Sequence, residues 1–202
     1  MILDHLAVAG ATLEDAAAHV EQSLGIPLGP GGAHARYGTR NRLIGLEDGL
    51  YLEAIAVDPE TQPQEQPRWF NLDQFAGPAR LSNWILRSED LEAEKSLLPP
   101  HAQRHVSMQR GDLRWLMTVP ADGLLPYDNL FPAVLQWQAD PPAARLPQSG
   151  CRLSRLILSH PEASALQQAL DRIIADPRIA VEQGAPAMMA EFGTPHGQRQ
   201  LR

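Results

Sequence analysis

The chain of 202 residues carries 24 acidic side chains against 17 basic ones, a formal net charge of −7, and it contains a single cysteine. This acidity opposes binding to nucleic acid or to an anionic membrane, and one cysteine excludes an intramolecular disulfide and a thiolate metal cluster. The amino terminus runs into a strand pattern instead of a signal peptide, and no apolar run approaches the roughly 18 residues that span a bilayer. We therefore expect a cytoplasmic protein with no membrane segment.

The first 57 residues predict one β–α–β–β–β unit. A strand at about 2–8 is followed by a helix at about 12–24, which starts at a capping threonine and stops before Gly25. Short strands separated by polar turns are then predicted at about 34–38, 41–46 and 50–56.

The same order of elements recurs further along the chain. Residues 58–78, rich in Pro, Gln and Glu, predict a crossover linker, and a second unit follows at 79–140. Its predicted elements are a strand at 81–87, a helix from about 88 to Leu98, and strands at 105–109, 112–119 and 132–138. Residues 150–202 predict a shortened third unit that extends the sheet. Such internal duplication is strong evidence for the architecture.

Two polar residues stand out on the first unit's opening and closing strands. His5 lies two residues from both Leu3 and Ala7, and Glu53 lies two residues from Tyr51. Residues two apart share a strand face, so both polar residues are expected to face inward with these neighbours. A buried histidine alone is usually a hydrogen-bonded core residue. An unpaired buried carboxylate, however, costs several kcal/mol. We therefore expect His5 and Glu53 to be mutual partners or ligands of one ion.

This arrangement, together with His34, Gly38-Thr39 and Asn41, resembles the glyoxalase-like domains of the vicinal oxygen chelate superfamily. The resemblance implies an α+β fold in which tandem βαβββ units form a curled mixed sheet with helices on the outside. It also implies a divalent metal, such as Zn, Mn, Fe or Mg, with His5 and Glu53 as ligands. On this basis His34 is a third ligand or a proton shuttle, and Glu53 and His34 are the catalytic candidates.

The second unit offers weaker candidates. Its alignment on the first unit puts Gln136 opposite Glu53 and puts Asn83, or Trp84 with a one-residue gap, opposite His5. A glutamine oxygen is a weak ligand for zinc but acceptable to harder ions. Trp84 would instead form a stacking wall for a ligand.

Arg110 and Trp115 lie in a stretch that also looks like the family's second unit. An arginine before a hairpin is usually a solvated charge, but beside a tryptophan it can grip a substrate carboxylate. Asn41 either stabilises its turn or contacts substrate. The substrate-binding candidates are therefore Arg110, Trp84, Trp115 and Asn41.

Two functions remain open. One is metal-assisted isomerase, lyase or dioxygenase chemistry on a small oxygenated molecule. The other is metal-free binding or sequestering of a small molecule on the same fold. The resemblance allows units to pair within one chain or between chains, so a homodimer also remains open.

Overall fold

The first 57 residues of the computed structural model, which describes residues 1–202, form the predicted β–α–β–β–β unit. The Thr12 hydroxyl caps the helix by accepting a hydrogen bond of 3.0 Å from the backbone N–H of Asp15, and Gly25 ends it with a left-handed φ of 74°. The elements are β1 (Ile2–Ala9), α1 (Leu13–Leu24), β2 (Ala33–His34), β3 (Thr39–Gly45) and β4 (Tyr51–Val57).

A second unit repeats this order with a much shorter helix. Its elements are β5 (Arg80–Arg87), α2 (Leu91–Glu94), β6 (His105–Arg110), β7 (Leu113–Thr118) and β8 (Ala133–Trp137). The helix was expected to reach Leu98, but it gives way to a 3₁₀ turn at Lys95–Leu97. Leu98 precedes a proline, which disfavours helical backbone at that residue, so the chain turns away early.

The two units join edge to edge in one curled, nearly closed sheet of eight strands, in the order β2-β3-β4-β1-β5-β8-β7-β6. Within each unit the first strand runs parallel to the last, and β1 and β5 meet antiparallel at the centre. The sheet is therefore pseudo-symmetric about the β1–β5 junction. This topology confirms the predicted tandem α+β fold.

Apolar side chains cover both faces of the curled sheet. On the outer face, Leu52 and Trp84 belong to a buried cluster that includes Val20 of α1. On the inner face, a separate cluster contains Ile85 and Leu135. The candidate site lies on this inner face, surrounded by hydrophobic side chains.

The C-terminal residues form a sheet of their own, so the expectation that they extend the main sheet is wrong. Their elements are β9 (Arg152–His160), α3 (Ala163–Leu170), β10 (Ile179–Gln183), β11 (Ala187–Thr194) and β12 (Gly197–Leu201), with strand order β10-β9-β11-β12. Leu156, Leu158 and Phe192 are fully buried in the same cluster as the outer face of the main sheet. This second sheet has an apolar face to bury, and stacking it on the outer face does so, whereas pairing at an edge would not.

The helices are short. α1 has 12 residues, and no helix of the protein is both long and apolar enough to cross a membrane.

We predict that Leu52→Ala lowers the free energy of unfolding by about 2–5 kcal/mol, because it removes a fully buried side chain from the main cluster. Leu124→Ala is the matched control, since Leu124 is 38% exposed and its truncation leaves little cavity. Urea unfolding followed by tryptophan fluorescence measures both variants. Equal losses in the two would contradict the assigned core.

Candidate functional site

His5 reaches the inner face through a bulge in β1. Pairing with β5 matches Leu3 to Leu86 and His5 to Ile85, so Asp4 is an extra residue on β1. Bulges re-aim the side chains around them and are common near functional sites. Here the bulge lets Leu3 and Leu6 both join the outer cluster while His5 lines the inner pocket.

Asp4, only 1% exposed, anchors His5 from behind. One carboxylate oxygen accepts a hydrogen bond of 2.7 Å from His5 Nδ1. The other accepts a bond of 3.0 Å from the indole N–H of Trp137 and lies 3.7 Å from the guanidinium of Arg87. These partners offset the cost of burying the carboxylate. Because Nδ1 is engaged, His5 presents Nε2 to the pocket.

Glu53 lies beside His5 because β4 runs parallel to β1. The register pairs His5 with Tyr51, whose ring stacks on the imidazole with centroids 4.3 Å apart. Two residues further on, Glu53 places one carboxylate oxygen 3.6 Å from His5 Nε2. Its other oxygen accepts a hydrogen bond from the Asn41 amide. The predicted meeting of His5 and Glu53 thus occurs on the inner face.

Burial and neighbouring charges shift the pKa values of His5, Glu53 and His34. Burial lowers the pKa of His5, but its contacts with Asp4 and Glu53 outweigh that cost and raise the pKa above 6.5. Burial likewise opposes ionisation of Glu53, yet interactions with His5, His34 and Asn41 lower its pKa to about 2. For His34, burial outweighs the attraction of Glu53 and, together with the charges of Arg110 and His5, lowers the pKa to about 4. At neutral pH, Glu53 is ionised and His34 is neutral.

His34 and Asn41 are held by the hairpin of β2 and β3. His34 Nδ1 lies 3.1 Å from the Thr39 hydroxyl, and its Nε2 lies 3.5 Å from the amide nitrogen of Asn41. The amide oxygen of Asn41 accepts a hydrogen bond of 2.8 Å from the backbone N–H of Gly32. A side chain on Gly31 would place its Cβ 1.9 Å from the Asn41 carbonyl oxygen. The glycines therefore permit the close approach that positions Asn41 on Glu53.

A known protein family matches most of the chain. Residues 3–174 match the family model described as a glyoxalase-like domain. The chain belongs to this family. The family lies within the vicinal oxygen chelate superfamily, so the resemblance seen in the sequence is confirmed. No curated protein sequence matches the chain.

Several solved structures are similar to this glyoxalase-like chain. A hypothetical protein from Staphylococcus aureus is 16% identical, with 91% of this chain and 86% of that chain covered and a TM-score of 0.64. Methylmalonyl-CoA epimerase from Mycobacterium tuberculosis is 21% identical, with coverages of 71% and 91% and a TM-score of 0.43. A mutant 4-hydroxymandelate synthase from Streptomyces coelicolor is 16% identical, with coverages of 72% and 52% and a TM-score of 0.43. The similarity to the Staphylococcus aureus protein, at this low identity, shows a common fold alone.

The second unit of the glyoxalase-like fold contributes different chemistry from the first. The elements of the second unit keep a constant offset from those of the first, since β5 (80–87) and β1 (2–9) differ by 78 and their bulged residues, Ser82 and Asp4, also differ by 78. Pseudo-symmetry therefore equates His5 with Asn83, and the parallel pairs Ala7–Glu53 and Ile85–Ala133 equate Glu53 with Ala133. The second unit has an amide in place of the imidazole and an apolar residue in place of the carboxylate.

This register corrects two predicted site residues. Gln136 is three residues from Ala133, the true counterpart of Glu53, and its side chain faces away from the pocket to bond the Leu91 N–H at 3.1 Å and the Glu89 carbonyl at 3.0 Å. Trp84, next to Ile85, is fully buried in the outer cluster and donates its indole N–H to the Leu130 carbonyl at 2.8 Å. A shift of one residue in a strand reverses the face of its side chain.

The remaining second-unit candidates do line the pocket. Trp115 and Arg110 are part of its wall, and they are joined there by Met117 and Trp137. Trp137 faces the pocket while its neighbour Gln136 faces away, as alternation along a strand requires.

The crossover linker adds an aromatic side of the pocket that the sequence did not reveal. Trp69 and Phe70 stack on each other with centroids 4.9 Å apart, and both line the pocket. The Trp69 ring also meets His34 edge-on at 5.0 Å. The linker has no strand or helix periodicity, so only its two adjacent aromatic residues hint at this role.

A divalent ion fits this set of donors only in part. Two ligands at about 2.1 Å from one ion can span the 3.6 Å between His5 Nε2 and Glu53, and a carboxylate such as Asp4 is a common outer partner of a metal-bound histidine. Ala133, however, which takes the place of Glu53 in the second unit, has no donor side chain. Asn83 pairs with Ala7 on the adjoining strand and does not line the pocket, although both its side-chain polar atoms are buried without a partner.

The other first-unit groups do not complete a metal centre. No group of three or more His, Cys, Asp or Glu side chains is arranged to hold an ion. Asn41 directs its amide nitrogen at Glu53, and its oxygen is already engaged by the backbone N–H of Gly32. The residues present therefore do not match the three or four protein ligands of a tightly bound ion.

We predict that His34 makes the metal-free protein less stable as the pH falls from 6.5 towards 4. The unfolded chain protonates His34 near 6.5, whereas the folded chain resists protonation until about pH 4, so acid favours unfolding by up to about 3 kcal/mol. His34→Gln should therefore flatten the fall in unfolding free energy in this window. Urea unfolding in EDTA, between pH 4.5 and 6.5, measures the slope, and parallel curves for both proteins would contradict the assignment.

Proposed function

We propose that this glyoxalase-like protein binds a small oxygenated molecule in the inner pocket without a tightly held metal ion. The observation that carries the proposal is the division of the pocket between the units. The first unit supplies His5 and Glu53, and the second supplies Trp115, Trp137 and Leu135. One polar side and one aromatic side suit a small organic ligand, which combines a few directed hydrogen bonds with apolar contact.

His5 and Glu53 have hydrogen-bonding capacity left for a ligand. Their facing atoms are 3.6 Å apart, longer than a hydrogen bond, so each can turn to a ligand oxygen placed beside them. Asp4 accepts a hydrogen bond from His5 Nδ1, and the raised pKa of His5 favours a second proton on Nε2. The Nε2–H can then donate a hydrogen bond to a ligand oxygen. The ionised Glu53 accepts a hydrogen bond from a ligand hydroxyl.

Metal-assisted isomerase, lyase or dioxygenase chemistry is the second candidate, and the separation of His5 and Glu53 favours it. In this version the two residues hold a divalent ion, which supplies Lewis acidity toward the oxygens of the ligand. Asn41 orients the Glu53 carboxylate, and Asp4 orients His5.

Metal binding separates the two candidates. We expect untagged protein to carry no stoichiometric ion, and titration calorimetry with Mn, Zn, Fe and Mg to give the same weak affinity for wild type, His5→Ala and Glu53→Gln. His105→Ala is the matched control, because His105 also lies near a glutamate, 3.8 Å from Glu92, but on the surface. An ion that binds wild type and His105→Ala at least tenfold more tightly than the two site variants would replace the proposal with the metal-assisted candidate.

A further inference from the structure

The inner cavity is too small to enclose the ligand. It has a volume of about 20 Å³, which is room for about one water molecule. A bound organic molecule can place only one or two of its atoms beside His5 and Glu53. The rest of the ligand must therefore lie outside this cavity.

Arg110 lies between the inner cavity and a larger outer cleft. It lines both, and the outer cleft has a volume of about 400 Å³, within the usual range for small-molecule sites. Its side chain packs against Gly32, where an added Cβ would come within 2.9 Å of the Arg110 Cδ. Its positive charge is close enough to add to the lowering of the His34 pKa, which burial dominates.

The guanidinium of Arg110 makes no hydrogen bond or ion pair with any residue of the chain, whereas the other charges of the outer cleft neutralise each other. Asp112, at the turn between β6 and β7, is ion-paired with Arg145. Arg110 is therefore the uncompensated charge where the two spaces meet. The wall of the outer cleft includes the apolar side chains of Leu43, Leu113, Pro142 and Leu146.

We infer that the ligand is an elongated carboxylate, with its carboxylate on Arg110 and an apolar chain in the outer cleft. A planar guanidinium with free donors binds a carboxylate through two parallel hydrogen bonds. An oxygen next to the carboxylate then reaches the inner cavity beside His5 and Glu53. Only this last contact rests on the proposed function.

Straight-chain acids test the carboxylate and the chain separately. By titration calorimetry, hexanoate should bind at least tenfold more tightly than hexanamide, and affinity should rise from acetate to hexanoate by about fourfold per methylene buried. Arg110→Gln should abolish the preference for acid over amide. Arg110→Lys, which keeps the charge but not the paired geometry, should reduce it. Arg114→Gln, on the exposed side of the same hairpin, should leave it unchanged.

A substitution in the outer cleft tests the contact with the apolar chain. Leu146→Gln should reduce the gain in affinity with each added methylene while the affinity for acetate stays unchanged. Leu124→Gln, at an exposed leucine elsewhere, should leave the gain per methylene unchanged. Thermal melts establish that each variant is folded. Equal binding of hexanoate and hexanamide, a preference for acid that survives in Arg110→Gln, or no binding of any acid would overturn the inference.

A hydroxylated acid tests this inference separately from the proposed function. 2-Hydroxyhexanoate should bind more tightly than hexanoate, and His5→Ala and Glu53→Gln should remove that gain while the preference of hexanoate over hexanamide persists. A hydroxyl gain without any Arg110-dependent preference would overturn the inference and leave the proposed function standing. An Arg110-dependent preference for the acid without a gain in affinity from the hydroxyl would overturn the proposed function and leave the inference standing.

Discussion

The site depends on a buried carboxylate, Asp4, that occupies an extra position in β1. Its two oxygens bind His5 and Trp137, which belong to different units, and Arg87 lies close by. Burying this carboxylate is costly unless donors surround it. Once they do, the imidazole has one orientation, its Nε2 points into the pocket, and the spacing to Glu53 follows from the parallel register of β1 and β4.

Much of the fold and part of the site could be predicted from the sequence. Helix α1 has a capping threonine and a terminal glycine, and the spacing of His5 from Ala7 and of Glu53 from Tyr51 correctly placed both polar groups on the inner face. Leu3, which the same spacing put beside His5, lies on the outer face because of the bulge. The second unit was misassigned where register mattered, since no local signal distinguishes Leu135 from Gln136 as the inward residue. Asp4 was missed because a bulge breaks the period of two, and Trp69 because its segment has no period.

The crossover linker has a larger part in the site than its composition suggests. Asn129 donates to the Phe70 carbonyl at 3.1 Å, and the N–H of Asn71 donates to the Gly123 carbonyl at 2.8 Å. These bonds tie the linker to the segment before β8. Trp69 and Phe70 are therefore positioned in the pocket wall by contacts between two loops, while Trp115, Trp137 and the polar side of the pocket are positioned by strand pairing.

Both halves of the curled sheet belong to one polypeptide, and that linkage explains why they differ. If identical subunits each contributed a single βαβββ unit, symmetry would force a histidine and a glutamate into both halves. Covalent fusion lifts that obligation, so Asn83 and Ala133 can occupy the positions that correspond to His5 and Glu53. The acid and the imidazole can therefore come from one half of the sheet, while the other half contributes tryptophans and a single arginine.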